Sequence, residues 1–388
     1  MSEMPTSVYF LSPGGFPDNK TANINKLRFT TSAISETGVK VFVLSSLTSE
    51  STGDLSWNVL GDTNYRAFSR NIGSGALGKG LSHMIGELKR LLFLFAITPG
   101  QGKKVLVLSF IPVWKFFCYW LLARSRGFKL VLSIMEYHPS VARTLSQKIN
   151  ARFFDHYSYP FVDGVIPISH FLEKLARQRS KNIRTLILPI LADYNLAESN
   201  PEKSLTAYGN YFLLCAAAGY KETIHFAVRS FSQLNRKDVK LVLIISGSIE
   251  RVKQYSRDFK NNDQIAILSN IDYSELLNLY AYALGLLIPI RPDYQDKARF
   301  PQKIAEYLSS GRPIVTNSYG EIPYYFQNKA NAYIANDYNE TEFASIMEQI
   351  LDNPFEATEI GKAGRELGKF KFHYQMYSDS LSTFFSTL

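Results

Sequence analysis

Residues 299–321 read RFPQKIAEYLSSGRPIVTNSYGE, and the fold follows from them. Pro301 suits the first turn of a helix: its φ is preset, and the N–H it lacks would find no helical partner there. Ile304, Tyr307 and Leu308 recur at helical spacing, and Gly311 stands where a helix stops. Residues 313–316, Pro-Ile-Val-Thr, read as a short buried strand, and Gly320-Glu321 opens another element. The pattern is a short helix held between two strands, its start aimed at the carboxyl end of the strand before it. In open α/β sheets ligands bind at that end. Lys303 and Glu306 lie one turn apart, near the helix end that favours anions. The same pair also fits a plain surface ion pair worth roughly a few tenths of a kcal/mol.

Working outward, strands and helices alternate along the whole chain. Residues 8–11 predict a first strand running into Ser12-Pro13-Gly14-Gly15. Two glycines there let the backbone turn sharply and approach a ligand closely. A helix over 21–37 and a strand over 40–45 follow. Residues 46–80 are polar and glycine-containing, with a short strand at 57–60. A helix at 81–96, a strand at 105–110, a helix at 113–124 and a strand at 129–134 continue the series. That last strand leads into Glu136, Tyr137 and His138, an acid and an imidazole at a strand's carboxyl end. Further strands fall at 164–168 and 185–189, with Ser169 as an N-cap between them. Residues 195–210 lack a sustained apolar period and read as a linker. The alternation then restarts, with strands at 211–216, 240–246, 265–268, 286–290 and 331–335. Two parallel, doubly wound sheets are expected.

The bulk numbers agree. A chain of 388 residues is too long for one ordinary core. Its 46% hydrophobic content is that of a globular protein. Cys118 and Cys215 sit in apolar runs with no disulfide or zinc spacing, which fits a reducing cytoplasm. The opening residues resemble no signal peptide, and the apolar runs at 91–97 and 116–123 are too short to span a bilayer. The net charge is +9, and residues 74–129 carry nine basic residues against the single acid Glu87. No recognisable nucleic-acid reading motif accompanies that segment. Its charges flank the apolar runs LLFLFAI and FFCYWLLA, which favours an anionic membrane surface as the partner, with a basic solvated face as the plain alternative.

The helix with Glu306, followed by Gly311-Arg312-Pro313-Ile314, together with the strand–Gly14-Gly15–helix opening, resembles the family 4, GT-B-fold glycosyltransferases. The resemblance implies a GT-B architecture: two Rossmann-like parallel-sheet domains facing a central cleft. Residues 1–194 would form the acceptor-side domain and 211–371 the nucleotide-sugar domain, with the last helix, about 372–388, returning to the first. Lys221, in the loop Gly219-Tyr220-Lys221-Glu222, matches the family's lysine on the donor phosphates. The family's companion arginine falls at Ala216-Ala217-Ala218, so Lys303 or Arg299 would supply the second cation, with backbone donors from Gln302 and Ile304; Arg291 is a further cation with no motif behind it. Glu306 matches the second glutamate of the E-x7-E motif, the acceptor for the ribose hydroxyls. The first would fall at Ala298, which leaves Asp296 or backbone to face the sugar. Gly14 and Gly15 would lie under the diphosphate, and His138 or Glu136 near the acceptor, although Glu-x-His departs from the family's usual pair.

The implied chemistry is transfer of a hexosyl group from a UDP- or GDP-type sugar to a hydroxyl, with retention and with neither metal nor other cofactor. A glycan or lipid-linked acceptor of surface polysaccharide or glycolipid synthesis would fit, at the inner membrane face of the cytoplasm. A sugar-nucleotide 2-epimerase and a GT-B-like subunit that binds without catalysis remain alternatives, the second because of Ala298 and Ala217.

Overall fold

The β-branched and leucine-rich runs of the sequence become the central strands of two separate sheets. The computed structural model describes all residues except 1–5, 13, 19–21, 49–54, 71–74, 98–101, 110, 196–207 and 261. The chain divides into two compact units, 1–191 with 374–388, and 192–373.

In the first unit the strands are β1 (Ser7–Ser12), β2 (Lys40–Ser45), β3 (Asn58–Leu60), β4 (Thr63–Ala67), β5 (Lys104–Leu108), β6 (Phe128–Ile134), β7 (Gly164–Pro167) and β8 (Arg184–Thr185). Between them lie α1 (Ala22–Ser35), α2 (Ala76–Ala96), α3 (Val113–Arg126), α4 (His138–Val141), α5 (Leu145–Tyr157) and α6 (His170–Arg179). The spatial order is β3-β4-β2-β1-β5-β6-β7-β8, parallel except for the β3–β4 hairpin. That hairpin was expected only as one short strand. Its second arm, Thr-Asn-Tyr-Arg-Ala, has no apolar run to announce it, yet it pairs in parallel with β2. The strand expected at 185–189 is shorter: ladder pairing stops at Thr185, and only the amides of Leu186 and Leu188 still reach β7, on Val165 O and Pro167 O.

The second unit holds β9 (Asn210–Ala217), β10 (Val239–Ser246), β11 (Ile265–Leu268), β12 (Gly285–Leu287), β13 (Ile314–Asn317) and β14 (Tyr333–Ala335). Its helices are α7 (Lys221–Phe231), α8 (Ile249–Asp258), α9 (Tyr273–Tyr282), α10 (Tyr294–Ala298), α11 (Lys303–Ser309), α12 (Ile322–Tyr325), α13 (Glu340–Asp352) and α14 (Pro354–Phe372). All six strands are parallel, in the order β11-β10-β9-β12-β13-β14. This is the doubly wound arrangement, whose order reverses between β9 and β12. In the first unit the reversal lies between β1 and β5. Both sheets therefore have a switch point, where loops from adjacent strands diverge and leave a crevice at the carboxyl ends.

Unit boundaries depart from the expected ones. Ala192 bridges to His373, and the Tyr194 hydroxyl donates to Ala305 O, so both residues belong with the second sheet. Most of the expected linker, residues 196–207, lies outside the described residues. The chain does not run as one helix from 372. The helix α14 ends at Phe372, a single 3-10 turn covers Tyr374–Tyr377, and α15 (Ser378–Thr387) follows. Leu381, Phe384 and Phe385 of α15 are buried in the first unit's core with Phe10, Val107 and Ile166.

Candidate functional site

Three loops at the carboxyl end of the second sheet carry its charged side chains: those after β9, β12 and β13. Residues 288–290, expected to continue a strand, lie past the end of β12: Ile288 N still donates to Val315 O at 2.9 Å, but the backbone of Ile290 is taken by Asn317. Its side chain accepts from Ile290 N at 2.8 Å and donates to Ile290 O at 2.9 Å. This fixes where Arg291 emerges. Asp293 then caps α10, accepting from Asp296 N at 2.8 Å, and the short helix turns Asp296 inward.

Asp296 is the hub. Its side chain is fully buried and faces two guanidinium groups. Arg291 binds it through two nitrogens, Nε and Nη2, at 3.0 Å each, and its own backbone N–H donates to the same carboxylate at 2.9 Å. Arg299 Nη2 sits 2.8 Å away. Burial works against the Arg291 charge, but Asp296 and Asp293 outweigh it and raise its pKa. Both guanidinium groups lie over the ring of Tyr220, at 4.4 Å for Arg299 and 6.0 Å for Arg291. Tyr220 immediately precedes Lys221, the exposed first residue of α7. Gly320, at φ 61°, completes the packing: a Cβ there would stand 3.0 Å from Asp296 O.

The second cluster lies on α11. Lys303 Nζ and Glu306 Oε2 are 2.6 Å apart, with side-chain exposures of 33% and 14%. This is more enclosed than the surface pair the spacing alone allows. Burial lowers the Lys303 pKa, but the Glu306 carboxylate and Cys215 more than reverse that, so it stays charged. Cys215, near the carboxyl end of β9, is held from below: the Tyr307 hydroxyl accepts from its backbone N–H at 2.8 Å. Burial pushes its thiol pKa up. Ile304 is fully buried, and its amide donates to Pro301 O at 3.0 Å. It anchors the helix and is not a donor toward a ligand, as the sequence reading had it. Gln302 is the half-buried residue before the first turn.

Ala298 is buried in α10, where a side chain could not reach solvent. Asp296 does not take over a sugar-facing role, because both its oxygens are engaged by arginines. Conversely, Arg291, which no motif singled out, and Tyr220 prove central. The only signal for them was position, just past β12 and β9 at the switch point.

In the first unit, Gly14 and Gly15 follow β1 with φ of 150° and 80°. A Cβ on Gly14 would press on Leu47 at 3.2 Å, so the turn demands glycine. The strand ends beside it are braced by Arg90 of α2. Its guanidinium donates to Ser12 O at 2.8 Å, Leu44 O at 3.0 Å, Glu87 at 2.7 Å and the Tyr119 hydroxyl at 2.9 Å. Arg90 was counted with a surface patch; it is an internal strut. Lys103 and Lys129 are also engaged, with the backbone of the last helix and with Asp163. The exposed basic residues of 74–129 include Lys79, Lys89 and Arg124. His138 opens α4 with its ring edge toward Phe154, and burial pushes its pKa down to about 4. Together with Glu136 it borders an enclosed space of about 10 Å³, too small for a substrate.

Residues 198–367 match the family described as glycosyl transferases group 1. No curated protein matches the chain by sequence. Among solved structures, sucrose-phosphate synthase from Thermosynechococcus elongatus is similar with a TM-score of 0.74 at 15% identity, covering 98% of both chains. HepE from Anabaena, solved with UDP and glucose, gives 0.69 at 14% identity over 98% of this chain and 100% of that one. WaaG, a glycosyltransferase involved in lipopolysaccharide biosynthesis, gives 0.63 at 13% over 97% and 99%. The likeness to these structures is one of fold, and the fold is GT-B. The family match falls within the second unit.

Proposed function

We propose that the protein transfers a hexosyl group from a UDP- or GDP-type sugar to a hydroxyl of a lipid-linked acceptor, with retention and without a metal. The observation that carries this reading is the convergence of Arg291, Arg299, Lys221, Lys303 and Glu306 on the switch point of the second sheet. A nucleoside diphosphate needs fixed cations for its phosphates and a carboxylate for its ribose. Arg291 and Arg299, aligned by Asp296 and Tyr220, present preorganised donors to the phosphates. Lys221 adds a mobile charge. Glu306, oriented by Lys303, accepts from two hydroxyls. Stabilising the departing diphosphate is the main source of rate in this scheme. His138, neutral at pH 7, and Glu136 act on the acceptor side, and Gly14-Gly15 leave room for close backbone approach.

Two features support a membrane-borne acceptor. On α2, Leu81, Met84, Leu88, Leu92 and Phe95 are each 47–62% exposed along one helical line. Lys79 and Lys89 accompany them, the arrangement of a helix that lies on an anionic surface. No helix among the described residues is long and apolar enough to cross a bilayer, so the association would be peripheral, at the cytoplasmic side of the inner membrane. Nucleic acid is not a partner in this scheme.

Nucleotide release from a panel of UDP- and GDP-sugars, with and without membrane lipid extract, tests the reading. Acceptor-dependent release is expected. Glu306→Ala should weaken nucleotide binding about tenfold, as loss of hydrogen bonds to a charged group does. Unchanged affinity in that variant sinks the ribose assignment. The loss of a carboxylate at Ala298 favours a second reading, a subunit that binds nucleotide sugar without transfer; binding with no turnover under any acceptor would support it. Inversion at C2 of the sugar alone would instead mark an epimerase.

A further inference from the structure

An open cavity of about 540 Å³ lies in the first unit, away from the glycine turn and bounded by α5. The helix is begun by a capping box, in which Thr144 accepts from Gln147 N and the Gln147 side chain reaches back to Thr144 N. This fixes which residues face outward. Ala151, Phe154 and Asp155 turn to the core. Two rows remain outside. Lys148, Arg152 and His156 stand one turn apart and line the cavity. Leu145, Ile149, Phe153 and Tyr157 form the row beside them, 75%, 49%, 51% and 47% exposed. Phe153 and Tyr157 belong to both the row and the cavity wall.

Arg179 enters from α6. Its Nη2 lies 2.8 Å from Asp155, a carboxylate with 9% of its side chain exposed, so the guanidinium is held in place at the cavity. Lys148 and Arg152 have no ion pair among the described residues. The cavity thus gathers three permanent cations against one acid, with His156 between them. Tyr137 and Pro139, which flank His138, complete the wall.

We propose that this cavity binds the phosphate or diphosphate group of the lipid-borne acceptor, while the apolar row on α5 takes the first part of its chain. The proposal rests on the acceptor reading above and names the chemistry that reading left open. One anchored arginine with two unpaired basic side chains is the composition of an anion site. A site for a free anion has no use for four half-exposed apolar side chains in line. A site for a neutral lipid has no use for the cations. An amphiphile with a phosphate head fits both rows. The shared wall at Tyr137 and Pro139 brings such a head next to His138 and Glu136.

Calorimetry on the full chain, with UDP present to fill the nucleotide site, tests this. Farnesyl diphosphate, inorganic pyrophosphate and farnesol are the probes. Farnesyl diphosphate should bind more tightly than either of the others. The double variant Lys148→Ala, Arg152→Ala should lower its affinity about tenfold or more, since two charge-assisted contacts are lost. Both residues are exposed, so the fold is unaffected. Phe153→Ser should weaken farnesyl diphosphate and leave pyrophosphate unchanged. Equal affinity for farnesyl diphosphate and pyrophosphate, unaltered binding in the double variant, or no binding at all overturns the proposal. Failure of UDP itself to bind would instead overturn the transferase reading, and is measured separately in the same titrations.

Discussion

The two sheets share one topology and treat buried bases in opposite ways. At the second unit's switch point, Arg291 and Lys303 each face a carboxylate that keeps them charged despite burial. At the first unit's carboxyl end, burial pushes His138 down to about 4 and Lys26 down to about 7. Lys26 donates to Leu188 O at 2.7 Å, and desolvation alone sets its shift. Arginines of that unit do meet acids: Arg179 is held by Asp155, and Arg90 donates to Glu87 while its other donors turn to backbone and Tyr119. Strand order therefore creates two crevices, and in the function proposed above the acids in the loops fit the second one to the nucleotide diphosphate. A charged crevice suits a ligand that arrives with negative charge. Neutral bases suit one that must lose a proton from a hydroxyl.

The largest effect should come from removing the acid that keeps the second site charged. Asp296→Asn leaves Arg291 and Arg299 without their shared counter-ion. Breaking a buried pair from one side costs about 3–5 kcal/mol. Chemical denaturation should show that loss in the second unit, together with weakened nucleotide binding. A loss below about 1 kcal/mol, the range of a surface pair, would mean that the arginines are not held by Asp296.

Much of the fold was legible in sequence, for physical reasons that particular residues show. Residues 41–44 and 211–216 are continuous apolar stretches, as expected for strands buried on both faces. Pro301, Gly311 and Glu306 marked α11 because helix ends and spacing are local properties. Arg291, Tyr220 and Asp296 were not legible as a group. They are 5 to 76 residues apart in the chain and meet only because the order reverses between β9 and β12. The same holds for Arg90, whose charge looked external until the ends of β1 and β2 surrounded it. Arm β4 escaped because its strand character comes from pairing with β2 rather than from its own side chains.

Lys26 offers the next test. Its folded pKa of about 7 lies below the ordinary lysine value, so the unfolded chain binds more protons between the two. Stability from this group is complete above the unfolded pKa and is lost as pH falls toward 7. Stability measured by urea denaturation should thus rise between pH 7 and 10, by on the order of 3 kcal/mol from this residue. Lys26→Met should flatten that rise. An equal slope in both proteins would show that the amine reaches water and that the first unit does not keep its bases neutral.

His138 gives the smallest expected signal, and it separates a neutral base from a titrating one. Burial lowers its pKa to about 4, below the ordinary histidine value. Its contribution to stability is therefore present above the unfolded pKa and is lost as pH falls through 4. In the transfer reaction, the imidazole stays neutral from pH 7 down to 5, so no acid limb near pH 6.5 should arise from it. The wild type and His138→Gln should then differ in rate by a constant factor across pH 5–7 and diverge in profile only below that range. A break near 6.5 that disappears in the variant would mean that substrate binding opens the space around His138 to water and restores its ordinary titration. In that case the neutrality seen here describes only the unliganded first unit, and the two sheets differ in the ligand they hold rather than in how they treat a base.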